Sequence, residues 1–176
     1  VFVLIGVAIG VLFGFRGTSV VIVGQGFSNN LTQYDDFSAG ARFTEADLVP
    51  FSVTVKDFDV KFETGPVQRG AARLFRAGVE VTERPGAAPR QEILEVNKPL
   101  RIGDTTVHLI GHGYAPKVTI KDAEGNVAFS GPVVLLPQDG NFSSIGAIKA
   151  PDARPERLAF EAFFFPTAVL NDQGPQ

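Results

Sequence analysis

The chain contains no cysteine, no methionine and no tryptophan, and only two histidines and two tyrosines among 176 residues. Without cysteine there is no disulfide, no thiolate metal site and no thiol nucleophile, an inventory that suits an oxidising compartment. Without methionine there is no initiator, so the chain is expected to begin inside a longer reading frame. The polar ending NDQGPQ, soon after a very apolar run, suggests a cut C-terminus as well. A basic excess is also missing: 16 basic against 19 acidic residues give a formal net charge of -3. Phosphate neutralisation needs clustered positive charge, so nucleic acid is not an expected partner. What remains is 44% hydrophobic residues, enough for the core of one domain.

The longest uncharged run, VFVLIGVAIGVLFGF, opens the chain with fifteen residues. As a helix it would span only ~22 Å of a hydrocarbon layer about 30 Å thick, so it reads as the end of a truncated transmembrane helix. A buried strand or core helix is the plainer alternative. A cleaved signal peptide fits worse, because no basic segment precedes the run and Phe-Arg-Gly is a poor cleavage site. Gly6, Gly10 and Gly14 are four apart and would form one stripe for close helix contact.

After Arg16 the character changes. SVVIVGQGF suggests a short strand leading into a polar, glycine- and asparagine-rich connection. In FSVTVKDFDVKFE, Phe51, Val53 and Val55 alternate with polar residues, and Phe58, Val60 and Phe62 do so in the opposite phase. That flip predicts a bulge or tight corner near Lys56 and Asp57. Further strands are expected at 74–81, 91–96, 105–110, 117–121, 127–129 and 158–165, separated by turn signals such as ERPGAAP, NKP, IGD, DAEGN, SGP and PQDGN. KVTIKDAEGNVAF is the clearest hairpin, with Val118 and Ile120 on one arm and Val127 and Phe129 on the other. The expected fold is mainly β, an antiparallel β-sandwich or open barrel-like domain, preceded by the N-terminal transmembrane helix.

The stretch HLIGHGYAP holds both histidines. On a helix, His108 and His112 would share one face, the spacing of a metal site. The β-branched residues before it and the Gly-His-Gly and Ala-Pro after it favour a strand ending in a turn. On a strand the two rings would stand about 13 Å apart, too far for one ion. His112 is then either a half-buried imidazole bonded to a neighbouring carbonyl, or an exposed cofactor-binding or partner-contact residue on a flexible loop, and it is the one candidate site residue. His108 reads as a packed strand residue. No G-x-S-x-G elbow surrounds the serines, so no covalent catalysis is expected. Asp35, Asp36, Asp57 and Asp59 read as solvated carboxylates, and the GQG at 24–26 opens no helix that would hold a phosphate. Phe163, Phe164 and Phe165 read as core, with a membrane or partner contact as the alternative.

Taken in order, the segments GFRG after an apolar run, FSNNLTQYDDF, LVPFSVTVKDFDVKFE, VNKPL, HLIGHGYAPKVTIKDAEGNVAFSGPVVLLPQD, FSSIGAIKAPDA and FFPTA resemble the ResB-type cytochrome c biogenesis proteins of the system II maturation pathway. The resemblance covers essentially the whole chain. Each motif alone is weak, and the ordered series carries the likeness.

The resemblance implies that residues 1–16 are the C-terminal part of a transmembrane helix, 17–50 a membrane-proximal neck and 51–176 an incomplete, extracytoplasmic β-rich domain at the plasma membrane. It implies a noncatalytic scaffold or docking domain in a complex that delivers haem and attaches it to apocytochrome c. The implied partners are a ResC-type haem-handling membrane protein, apocytochrome c and a thioredoxin-like thiol reductant. Haem is implied for the complex and no cofactor for this part of it, since the histidines that bind haem in such complexes lie in membrane helices and partner loops. A membrane-anchored extracytoplasmic domain that binds a small ligand or ion, unrelated to cytochromes, is the alternative. It would need a concave site built on His108, His112 or Tyr114.

Overall fold

A computed structural model describes residues 12–62, 72–140, 142–166, 170–171 and 174–175. The chain divides into two compact units, Val1–Gly111 and His112–Gln176. Both are built from short antiparallel strands, and among the described residues no sheet closes into a barrel.

The first unit holds β1 (Phe15–Thr18), β2 (Gly26–Ser28), β3 (Asp36–Ala39), β4 (Ser52–Phe62), β5 (Ala72–Thr82), β6 (Arg90–Glu95), β7 (Leu100–Ile102) and β8 (Thr105–Val107). A four-stranded sheet runs in the order β2-β4-β5-β6, with β1 paired to β3 and β7 to β8 beside it. The phase flip in β4 is a bulge: Val55 pairs with Val79 but Asp57 with Gly78, leaving Lys56 as the extra residue. By that device Val53, Val55 and Phe58 all reach the same core. Gly78 suits the bulge, since a Cβ there would require the Asp57 carboxylate to turn aside. Among the described residues Val79, Val81 and Ile102 are the largest fully buried side chains. Ile102 comes from the β7–β8 hairpin, whose two-residue turn uses Gly103 at φ +57. The IGD turn signal thus folds a small second layer onto the main sheet.

In the expected neck, Phe15, Tyr34, Phe37 and Phe43 stack around β1 and β3, with ring centroids 5.1 to 6.5 Å apart, and Phe27 joins them 5.0 Å from Tyr34. Tyr34 lies over Gly17, where any Cβ would strike its ring. Its hydroxyl donates to Asn29 Oδ1 at 2.5 Å, and Asn29, itself buried, donates to the Val49 carbonyl at 2.8 Å. Asn30 caps a 3-10 turn, Leu31–Gln33, accepting from the Thr32 amide at 3.2 Å. Thus GFRG and FSNNLTQYDDF form one packed aromatic and polar unit.

The second unit holds β9 (Lys117–Lys121), β10 (Val127–Pro132), β11 (Leu136–Pro137), β12 (Ser144–Ala150), β13 (Leu158–Phe164), β14 (Leu170–Asn171) and β15 (Gly174–Pro175). They pair as β9-β10, β11-β12-β13 and β14-β15. In the DAEGN turn Asp122 Oδ1 accepts from the amides of Glu124 and Asn126, and Gly125 takes φ +87. Its buried residues are Ala128, Val133, Leu135, Ala150, Ala153 and Ser144.

Four local expectations change. The strand expected at 105–110 stops at Val107, and the strand expected in SVVIVGQGF forms only at its end, Gly26–Ser28. The β9–β10 hairpin carries a register shift between Val127 and Phe129, which turns Val127 outward and buries Ala128. β12 was not expected at all, because Gly146, Ala147 and Ala150 are weak strand formers and only pairing with β13 holds them extended. Most of the expected span at residues 1–16 lies outside the described residues, while Phe15 and Arg16 belong to β1. Among the described residues no helix is long and apolar enough to cross a membrane.

Candidate functional site

Residues 108–116 connect β8 to β9 without forming a strand, so the alternation that would have put His108 and His112 on one face never applies. The two histidines belong to different compact units, His108 lying three residues before the end of the first and His112 opening the second. His108 is exposed rather than packed, a correction that follows from β8 stopping one residue before it. His112 is half-buried.

Around His112 the second unit gathers three aromatic rings. Phe142 lies tilted against the imidazole at 4.3 Å between centroids, Tyr114 meets it edge-on at 6.1 Å, and Phe164 packs on Tyr114 at 5.4 Å. Phe142 reaches this position through an unusual backbone, at φ +61, a left-handed conformation that is uncommon for an aromatic residue. The turn between β11 and β12 holds it there. Asp139 accepts from the Phe142 amide through its carbonyl at 3.2 Å and from the Ser143 amide through Oδ1 at 3.0 Å, while Ser144 Oγ donates to the Phe142 carbonyl at 2.7 Å.

Burial among these rings lowers the His112 pKa below the ordinary histidine value, because the cation is poorly solvated there. The side chain is therefore a neutral imidazole at neutral pH, whose lone pair is able to accept a hydrogen bond or meet a metal. Among the described residues, however, no three His, Asp or Glu side chains are grouped to hold an ion. Among the described residues, one shallow hollow is lined by Lys149, Pro151, Arg157, Leu158 and Ala159, and another by residues of the Ser19–Asp35 region. Neither is lined by His108, His112 or Tyr114.

The remaining candidates are structural. Ser144 is buried and tied to the turn, Asp57 and Asp59 are exposed on β4, and Asp35 accepts from the Val20 amide at 2.7 Å. Gly24, at φ +89, donates to the Val55 carbonyl at 2.8 Å, so the GQG segment is a turn that lays β2 against β4. The triple phenylalanine divides: Phe164 packs inward on Tyr114, while Phe163 and Phe165 are 60% and 48% exposed. Sequence reasoning missed Phe142 as a neighbour of His112 and Phe164 as a neighbour of Tyr114. No local signal marks a phenylalanine for a left-handed backbone, and the contact spans three separate segments.

The ResB-like family model matches residues 1–175. No curated protein and no solved structure matches the chain.

Proposed function

The chain belongs to the ResB-like family, and from that premise we propose that it serves cytochrome c biogenesis as a noncatalytic scaffold or docking domain in a membrane complex that delivers haem to apocytochrome c. The observation that carries this reading is the family match over residues 1–175. The small β-rich units are compatible with it, and among the described residues Ser144 serves a turn while Asp57 and Asp59 are solvated.

In this reading the β-rich part lies on the extracytoplasmic side of the plasma membrane, and the cysteine-free composition suits that oxidising side. Its partners are a ResC-type haem-handling membrane protein, apocytochrome c and a thioredoxin-like protein that keeps the apocytochrome thiols reduced. Haem belongs to the complex, and no residue described above is assigned to hold it.

Deleting the full gene is the test. Loss of covalently haem-stained c-type cytochromes, restored by the gene in trans, is expected. Normal haem staining in the deletion strain would overturn the proposal.

A further inference from the structure

We infer that the outer edge of β13 is a docking site for an extended segment of another protein, one that alternates apolar with basic residues and adds to the β11-β12-β13 sheet as a further strand. β13 pairs with β12 over seven consecutive positions, Ser144↔Phe164 to Ala150↔Leu158, with no register shift. Among the described residues no strand lies along its other side. Every second residue of such a strand presents its backbone N–H and C=O outward, which is a template for pairing.

Edge strands are ordinarily blunted by charged side chains, lysine above all, by proline or by a bulge. LAFEAFF has no lysine, proline or bulge, and its one charge is Glu161. It instead leaves large apolar side chains uncovered on both faces, Leu158 and Phe160 on one, Phe163 on the other, continued by Phe165. An added strand would cover them with its own alternating side chains, the main chain supplying affinity and the side chains selectivity.

The charge pattern selects the occupant. Glu161 is the one charged residue of the strand, exposed at its centre, and its cross-strand neighbour on β12 is Ala147. Among the described residues it has no ion-pair partner. A second copy of this chain paired antiparallel along the full strand would set Glu161 against Glu161, and an in-register parallel copy would do the same. Like charges directly opposite are destabilising. A basic residue opposite Glu161 is favourable, so the site fits a foreign segment with lysine or arginine at that position better than it fits itself. The inference does not depend on the cytochrome reading, since it uses only the edge, its side chains and its charge.

The test uses the full chain and fluorescein-labelled heptapeptides that alternate valine with lysine or valine with glutamate, followed by fluorescence anisotropy. The lysine peptide is expected to bind saturably, and the glutamate peptide about fivefold or more weakly. Glu161→Lys should reverse that order, and N-methylating alternate peptide amides should abolish binding. Phe163→Ala should weaken it without changing the preference. Both positions are exposed, and unchanged far-ultraviolet circular dichroism of the variants verifies their folding. Equal affinities for the two peptides, indifference to Glu161→Lys, indifference to N-methylation, or no saturable binding at millimolar peptide would each overturn the inference. Dimerisation of the chain that Glu161→Lys abolishes would assign the edge to a second copy and overturn it equally.

Discussion

The two compact units bury different kinds of side chain. In Val1–Gly111 the deepest positions are Val79, Val81 and Ile102, with Phe51, Val53, Leu94 and Leu100 around them. Among the described residues of His112–Gln176 the least exposed are Ala150 and Ala153, with Val133 and Leu135 also buried, while Leu136, Phe160, Phe163 and Phe165 remain exposed. A fully buried valine or isoleucine contributes about 1.5–3 kcal/mol through its removal from water, and an alanine much less. The first unit thus carries its own stability in its core. The second, among its described residues, buries fewer large apolar side chains.

The sharpest way to break that comparison is a pair of truncations. Ile102→Ala is expected to lower the unfolding free energy of the first unit by about 2–5 kcal/mol, read as a lower urea midpoint. Phe163→Ala, at a 60% exposed position, is expected to cost no more than about 0.5 kcal/mol. Comparable losses from the two changes would show that exposure is a poor guide to where the stability lies.

Two glycines sharpen it next. At Gly146 an added Cβ would meet the buried Leu135 side chain, with the Val134 carbonyl at 3.3 Å, so Gly146→Ala is expected to cost about 1–3 kcal/mol. At Gly78 the obstacle is the carboxylate end of the exposed Asp57, which is free to turn away, so Gly78→Ala should cost less. Asp57→Ala should remove most of what cost remains. A Gly78→Ala loss as large as that of Gly146→Ala would mean that the β4 bulge is less adaptable than its exposure implies.

Tyr34→Phe should cost about 1 kcal/mol by removing the hydroxyl that donates to buried Asn29. Burial raises the Tyr34 pKa above its ordinary value, so the folded state holds the phenolic proton more tightly than the unfolded chain. Its contribution is complete below the ordinary tyrosine pKa of about 10 and is lost as pH rises through the folded value. Alkaline denaturation of Tyr34→Phe should lack that component.

The smallest effect belongs to His112, where burial lowers the folded pKa. The unfolded chain then takes up the proton first as pH falls. The stability of the neutral imidazole is complete above the ordinary value of about 6.5 and is lost as pH falls through the folded value. His112→Phe should flatten that part of the urea midpoint between pH 8 and pH 5. An unchanged slope would mean that the ring is solvated.

Legibility followed the range of the interactions. The β4 bulge was readable because alternation of Phe51, Val53, Val55, Phe58 and Val60 is a local pattern, and the DAEGN turn because Asp122 and Gly125 act within five residues. β12 was not, since its small residues have little strand preference and need β13 beside them. The shift at Ala128 was equally hidden, because Val127 and Ala128 are both acceptable inside and only the register chose between them.

By itself the sequence determined the class of the protein: mainly β, free of thiol chemistry, without a basic footprint, and recognisable as a family member from the order of its motifs. Those properties depend on composition and on spacing along the chain. Only the tertiary structure decided that HLIGHGYAP is a connection rather than a strand, that His112 rests against Phe142 and Tyr114 with Phe164 on Tyr114, and that among the described residues no strand pairs with the outer edge of β13. Each of those depends on which distant segments meet, and alternation along one strand carries no record of its neighbours.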